Sequence, residues 1–239
     1  MDGVQVSFRP WSLHRGGRGI RGTRQFFQRK DASGIHRRLL VVYDVYMKTK
    51  STMDRIEGAT RRLLDREGSQ AVTMRRVAKL VGITPMALYR HVADRDDLLN
   101  RIASRGFEEL AARALHQAMP VEPERKLMAI LDVFLDFAFD KPRMFELMFL
   151  TRRKGARQFP SDFRTGKSPT AGISVSALEA GMQEGIFRRD DVWEISFETG
   201  AMLQGLVMLY VGGRVEMQQE EFRALCHRAF RRYVNGIRA

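Results

Sequence analysis

Met86, Ala87, Tyr89 and Arg90 fall on the outward side of a short stretch whose inward residue is Leu88. Displayed together on one helix, such side chains suit recognition of a large surface, and two short helices joined by a glycine turn can seat the second in a DNA major groove. Catalysis finds far less to work with. The five histidines are scattered at His14, His36, His91, His116 and His227. No HExxH, nucleophile elbow or phosphate loop occurs. The single cysteine, Cys226, allows neither a disulfide framework nor a cysteine-based metal site within one chain, and a packed, inert thiol is expected. The chain is therefore read as a binding protein with no cofactor and no metal, and not as an enzyme.

The elements that must hold those outward residues are written into Thr73–Leu99. The Thr73 hydroxyl can accept from an orphan N–H and open a helix. Val77, Ala78 and Val81 then recur at helical spacing, and Ala78 is small enough for a close crossing. Gly82 supplies a left-handed turn that other residues adopt at a cost, and Ile83 plugs it. Thr84 as cap and Pro85 at the first helical position restart the chain, predicting a helix over Pro85–Val92. Asp94, with Asp97 three residues on, caps the next helix.

Val77-Ala78, Gly82-Ile83, Leu88-Tyr89-Arg90-His91-Val92, Arg95 and Leu98-Leu99 together resemble the DNA-binding domain of the TetR family of bacterial transcriptional regulators. The match covers roughly the ~50 residues after Met47, the size of a three-helix unit. The family usually has Lys at position 95, and Arg95 keeps the charge. The resemblance implies an all-α chain of about nine helices in two parts. A helix-turn-helix DNA-binding domain would occupy 47–99, and a helical ligand-binding and dimerisation domain 100–239. It implies a DNA-binding set of Lys48, Thr73, Arg75, Thr84, Met86, Ala87, Tyr89, Arg90, His91 and Arg95. Within it, Arg75 would reach a guanine edge, Met86 and Ala87 thymine methyls, and Tyr89 and Arg95 phosphates. His91 stands equally as a packing residue, and Thr84 as only a cap. Few polar base readers line the recognition helix, which puts weight on DNA shape and phosphates.

Charge agrees with a nucleic-acid partner. Of the formal net charge of +13, residues 1–50 hold 11 Lys/Arg against 3 acids, whereas 101–239 hold 21 against 18. Residues 1–46, Arg- and Gly-rich around RGGRGIRGTRQ, read as a disordered extension. Two origins stand side by side: a DNA-contacting basic arm, or a start-codon artefact preceding Met47. No signal peptide is recognisable, and the longest apolar run, Ala201–Val211, is too short to cross a bilayer. A cytoplasmic protein with no membrane partner is expected.

Beyond the connector helix (about Asp94–Ala118), helical stretches are expected over Pro123–Lys141, Pro142–Leu150 and Pro169–Glu184, from Asp190 or Asp191 to Val211, and over Glu216–Gly236. Thr151–Lys167 is a basic loop whose Arg152, Arg153, Lys154 and Arg157 could attract an acidic ligand, with a solvated loop as the leading reading. Family helices here surround a ligand cavity, and the resemblance assigns it Phe134, Phe137, Phe145, Met148, Phe149, Met182, Trp193, Phe197 and Met202. Plain core packing is the competing reading for each. Gln204-Gly205-Leu206 stands where one branch of the family carries His-Gly-Leu; the Gln departs from it, and that branch is not assigned. Gly200, Ala201 and Gly205 permit close approach of a second helix, and in the family the last two helices of two subunits form the homodimer. The function implied is a sequence-specific regulator, a repressor released from a pseudo-palindromic operator on double-stranded DNA by a mostly apolar small-molecule effector. The alternative is an effector-free DNA-binding factor of the same fold.

Overall fold

The structure, a computed structural model, describes residues 51–239. Lys48 and the 1–46 extension lie outside the described residues. Among the described residues there are ten helices and no strand, with one isolated antiparallel bridge between Phe187 and Arg238. The helices are α1 (Thr52–Glu67), α2 (Met74–Val81), α3 (Pro85–Tyr89), α4 (Arg95–His116), α5 (Pro123–Asp140), α6 (Pro142–Phe145), α7 (Ser161–Arg164), α8 (Ala171–Gln183), α9 (Val192–Val211) and α10 (Gln219–Gly236). No described helix is long and apolar enough to cross a membrane.

Local chemistry sets the starts. Ser51 and Asp54 cap α1 reciprocally, at 3.1 Å and 2.9 Å. Asp191 accepts from the Trp193 and Glu194 N–H groups to open α9. The expected extents hold with adjustments. Helix α3 ends at Tyr89, three residues before Val92, because Val92 must turn inward; it is 2% exposed. Helix α6 passes into a single π turn, Glu146–Leu150, in which the Thr151 N–H reaches back five residues to Glu146 O at 2.9 Å.

Two hydrophobic cores form. The first joins Ile56 and Leu64 of α1, Val77 and Ala78 of α2, Leu88 of α3, and Leu98 and Leu99 of α4. It also takes in Met144, Leu147 and Met148, so the π-turn segment is built into the same core as the helix-turn-helix. The second packs Leu131 and Leu135 of α5 against Leu178 of α8, Val207 of α9 and Phe222 and Phe230 of α10. Phe134 and Phe149 pack against both cores, their rings 5.7 Å apart. Cys226 is fully buried on α10, and burial pushes its thiol up to about 11, well above reactive range.

Candidate nucleic-acid interface and ligand cavity

The recognition helix is presented by a chain of short-range bonds. Thr73 accepts from the Arg76 N–H at 3.3 Å and opens α2. Gly82 sits at φ 77° and ψ 36°, the left-handed region, and its N–H closes α2 on Ala78 O at 2.9 Å. Thr84 then accepts from the Ala87 N–H at 3.1 Å and opens α3 behind Pro85. With Leu88 fully buried as the anchor, Met86 is left 71% exposed and Tyr89 50%. Arg90 and His91 are exposed beside them, and Ala87 is half-buried. Asp94 accepts from the Asp97 N–H at 2.8 Å and starts α4.

The arginines divide by duty. Arg75 is exposed on the first turn of α2. Its neighbour Arg76, also exposed, pairs with Glu67 at the end of α1, at 2.6 Å and 2.8 Å, and so links α1 to α2. Arg95 carries a structural duty that sequence reasoning missed. Its Nε donates to Val72 O at 2.8 Å and a terminal nitrogen to Ser69 O at 2.7 Å, clamping the loop that leads into α2. Arg55 adds a bond from α1 to Val81 O at the end of α2. Long-range partners of this kind leave no local sequence signal. Arg75, Met86, Tyr89, Arg90 and His91 are thus each exposed on or just after α2 and α3, and Thr73 and Thr84 serve as the caps of those two helices.

A cavity of about 720 Å³ opens among α4, α5, the π turn, the following loop, α8 and α9. Of the nine residues the sequence assigned to it, Phe134, Met148, Phe149 and Phe197 line it. Phe137, Phe145, Met182, Trp193 and Met202 do not. Phe137 is fully buried in the first core beneath the Arg113 guanidinium, and Phe145 is 1% exposed in the second. Met182 and Met202 pack against the second core, and Trp193 lies half-buried on the first turn of α9. Helical periodicity identifies an inward face; it does not say whether that face meets another helix or an empty space.

The loop after the π turn is solvated only in part: Arg152 and Lys154 are exposed, whereas Arg153 is buried and Arg157 half-buried. The Asn100 amide donates to Lys154 O at 2.7 Å, and the Lys154 N–H donates to Asp96 at 3.0 Å, tying the loop to the start of α4. Phe159 stacks on Phe197 at 4.3 Å, and Arg153 is 9% exposed. Arg153, Arg157 and Phe159 all line the cavity, as do Ser104, Phe107 and Gln204. Phe159 and Phe163 within an otherwise basic loop were the available signal.

Comparison with known proteins follows the same division of the chain. Residues 56–102 match the family model described as bacterial regulatory proteins, tetR family, and residues 127–233 match that described as tetracyclin repressor-like, C-terminal domain. A curated HTH-type transcriptional regulator of Staphylococcus aureus (strain MRSA252) is 26% identical over 189 residues, covering 79% of this chain and 92% of its own. Among solved structures, a putative tetR family transcription regulator from Shewanella sp. PV-4 superposes with a TM-score of 0.62 at 14% identity, over 80% of this chain and all of its own. The regulator PfmR from Thermus thermophilus gives 0.52 at 18% identity, over 80% and 100%.

Proposed function

Because the chain belongs to the TetR family of transcriptional regulators, we propose that this DNA-binding regulator is a homodimeric repressor, released from a pseudo-palindromic operator by a small molecule held in the 720 Å³ cavity. The carrying observation is that Met144, Leu147 and Met148 sit in the helix-turn-helix core while Met148 and Phe149 also line the cavity. A ligand that moves the π-turn segment therefore acts on the packing beneath α1 and α4. Ligand and DNA would then select different arrangements of one dimer. The two separate family matches support a DNA-binding domain over 47–99 and an effector and dimerisation domain over 100–239. Met86, Ala87, Tyr89, Arg90, His91 and Arg75 would face the groove and its phosphates, with Lys48 added from outside the described residues. The site of action would be the cytoplasm, where the chromosome of a bacterium lies.

The dimer reading rests on α9. Met208, Leu209 and Val211 are exposed, and a methyl built on Gly205 meets nothing within 4 Å. An apolar, partly bare helix of this kind suits a second copy of itself across a two-fold axis. Selection of bound duplexes from a random library tests the proposal. An enriched inverted repeat with half-sites about one helical turn apart is expected; enrichment of a single half-site, or of nothing, would contradict it.

A further inference from the structure

Two cations line the cavity, Arg153 and Arg157, with no carboxylate paired to either among the described residues. The Arg153 guanidinium donates to Leu147 O and to Met148 O, the latter at 3.5 Å, and its Nε is buried with no hydrogen-bond partner. Arg157 lies over the Phe107 ring at 4.8 Å and donates weakly to the Ser104 hydroxyl at 3.4 Å. Among the described residues neither forms an ion pair with a carboxylate within 4.0 Å. The acids whose charge reaches them are already engaged: Asp96 by the Lys154 N–H, Asp162 by Lys167 at 2.9 Å, and Glu108 by Arg105 at 3.2 Å. Burial pushes both guanidinium groups below their ordinary values, and Arg157 pushes Arg153 further the same way. Burying charge without a partner opposes folding, and groups in that state bind an oxyanion strongly when one is offered.

Folding alone gives no reason for the pair. Arg153 closes carbonyls left by the π turn, but one further neutral donor would do that. Arg157 has no such duty. The rest of the wall is of a different kind: Leu127, Leu131, Phe134, Phe149 and Leu203 offer an apolar surface next to the two cations.

We propose that the cavity takes an amphipathic anion, with its apolar body against Phe134, Phe149 and Leu203 and one carboxylate or phosphate head held between Arg153 and Arg157. This rests on the cavity being the effector site and names the chemical class of the effector. It also revises the expectation of a mostly apolar ligand by adding one charged group to it.

Calorimetric titration of the full chain with straight-chain carboxylates, monoalkyl phosphates and alcohols of matched length, hexyl through tetradecyl, tests it. At least one anionic series is expected to bind roughly ten- to hundredfold tighter than the alcohol of equal length, the scale of a charge-assisted contact. Which series prevails identifies the head group. Arg157→Gln should bring anion affinity down to that of the alcohol of equal length, and Arg157→Lys should keep part of the preference. Arg153→Gln should also erase it, and the Arg157 variants keep the test decisive if Arg153→Gln fails to fold. Alcohols binding as tightly as both anions, or a preference that survives Arg157→Gln, would overturn the anion assignment while the cavity reading stands. Binding of no member of any series would overturn both.

Discussion

Replacing Arg95 separates two roles that the sequence merged. If Arg95 served only as a phosphate contact, Arg95→Ala would weaken DNA binding without touching stability, and Arg95→Lys would restore binding. The structure gives its Nε and one terminal nitrogen to Val72 O and Ser69 O, at 2.8 Å and 2.7 Å. Hydrogen bonds from charged donors are worth about 1.5–3 kcal/mol each. The side chain is 34% exposed, so water replaces part of that, and we expect a loss of about 2 kcal/mol for the pair. For a body of this size that is a fall in melting temperature of about 4–8 °C. Lysine carries the charge but not the planar fork, so Arg95→Lys should recover less than half of the loss. Both variants should also weaken DNA binding, because the clamped loop sets the start of α2 and with it Arg75. Differential scanning calorimetry and a gel-shift titration read the two effects separately. Arg95→Lys melting and binding like the wild type would refute the clamp.

Gly205→Arg should leave the protomer folded, since a Cβ at this position meets nothing within 4 Å of its own chain, yet split the dimer; a wild type that sediments as a monomer would refute the interface. Gly181→Ala should destabilise by about 1–3 kcal/mol, since its methyl would lie 2.2 Å from the buried Phe187 ring. Gly106→Ala should cost less, because the clash is with the movable Met148 and Met144 sulfurs at 2.5 Å and 2.9 Å, and equal losses in chemical denaturation would contradict the comparison. Burial works to raise the Glu109 carboxyl, but hydrogen bonds from Lys141 and Arg61 outweigh it and hold it below the usual 4.5. Its contribution to stability is therefore present above about 4.5 and lost as pH falls through the lower folded value. Glu109→Gln should lower stability at neutral pH and flatten the acid limb, and melts at stepped pH that show unchanged slopes would exclude this.

The helix starts were legible because capping is local. Thr73, Thr84 and Asp94 each bond to an N–H three residues on, and each was readable from residue type and spacing. Gly82 was readable for the same reason, since a left-handed angle restricts residue choice. What was not legible depends on partners far along the chain. Arg95 meets Ser69, Arg76 meets Glu67, and Arg157 meets Ser104 and Phe107. The cavity was half-legible for a related reason. Phe134 and Phe145 lie on adjoining helices with rings 5.5 Å apart, yet Phe134 lines the cavity and Phe145 fills the core. Three-dimensional packing alone separates them. In the basic loop, residue type could not separate Arg152 and Lys154, which stay in solvent, from Arg153 and Arg157, which fold inward beside Phe159.

The central claim is that cavity and recognition helix bias one equilibrium. Linkage gives it a sharp test: measure the affinity of a cavity ligand with and without saturating operator, and of operator with and without ligand. The two ratios should agree, at about 5–150-fold for a coupling of about 1–3 kcal/mol, with each partner weakening the other. Ligand affinity unchanged by operator would contradict the account, and the chain would then be a DNA-binding factor whose cavity serves something other than release.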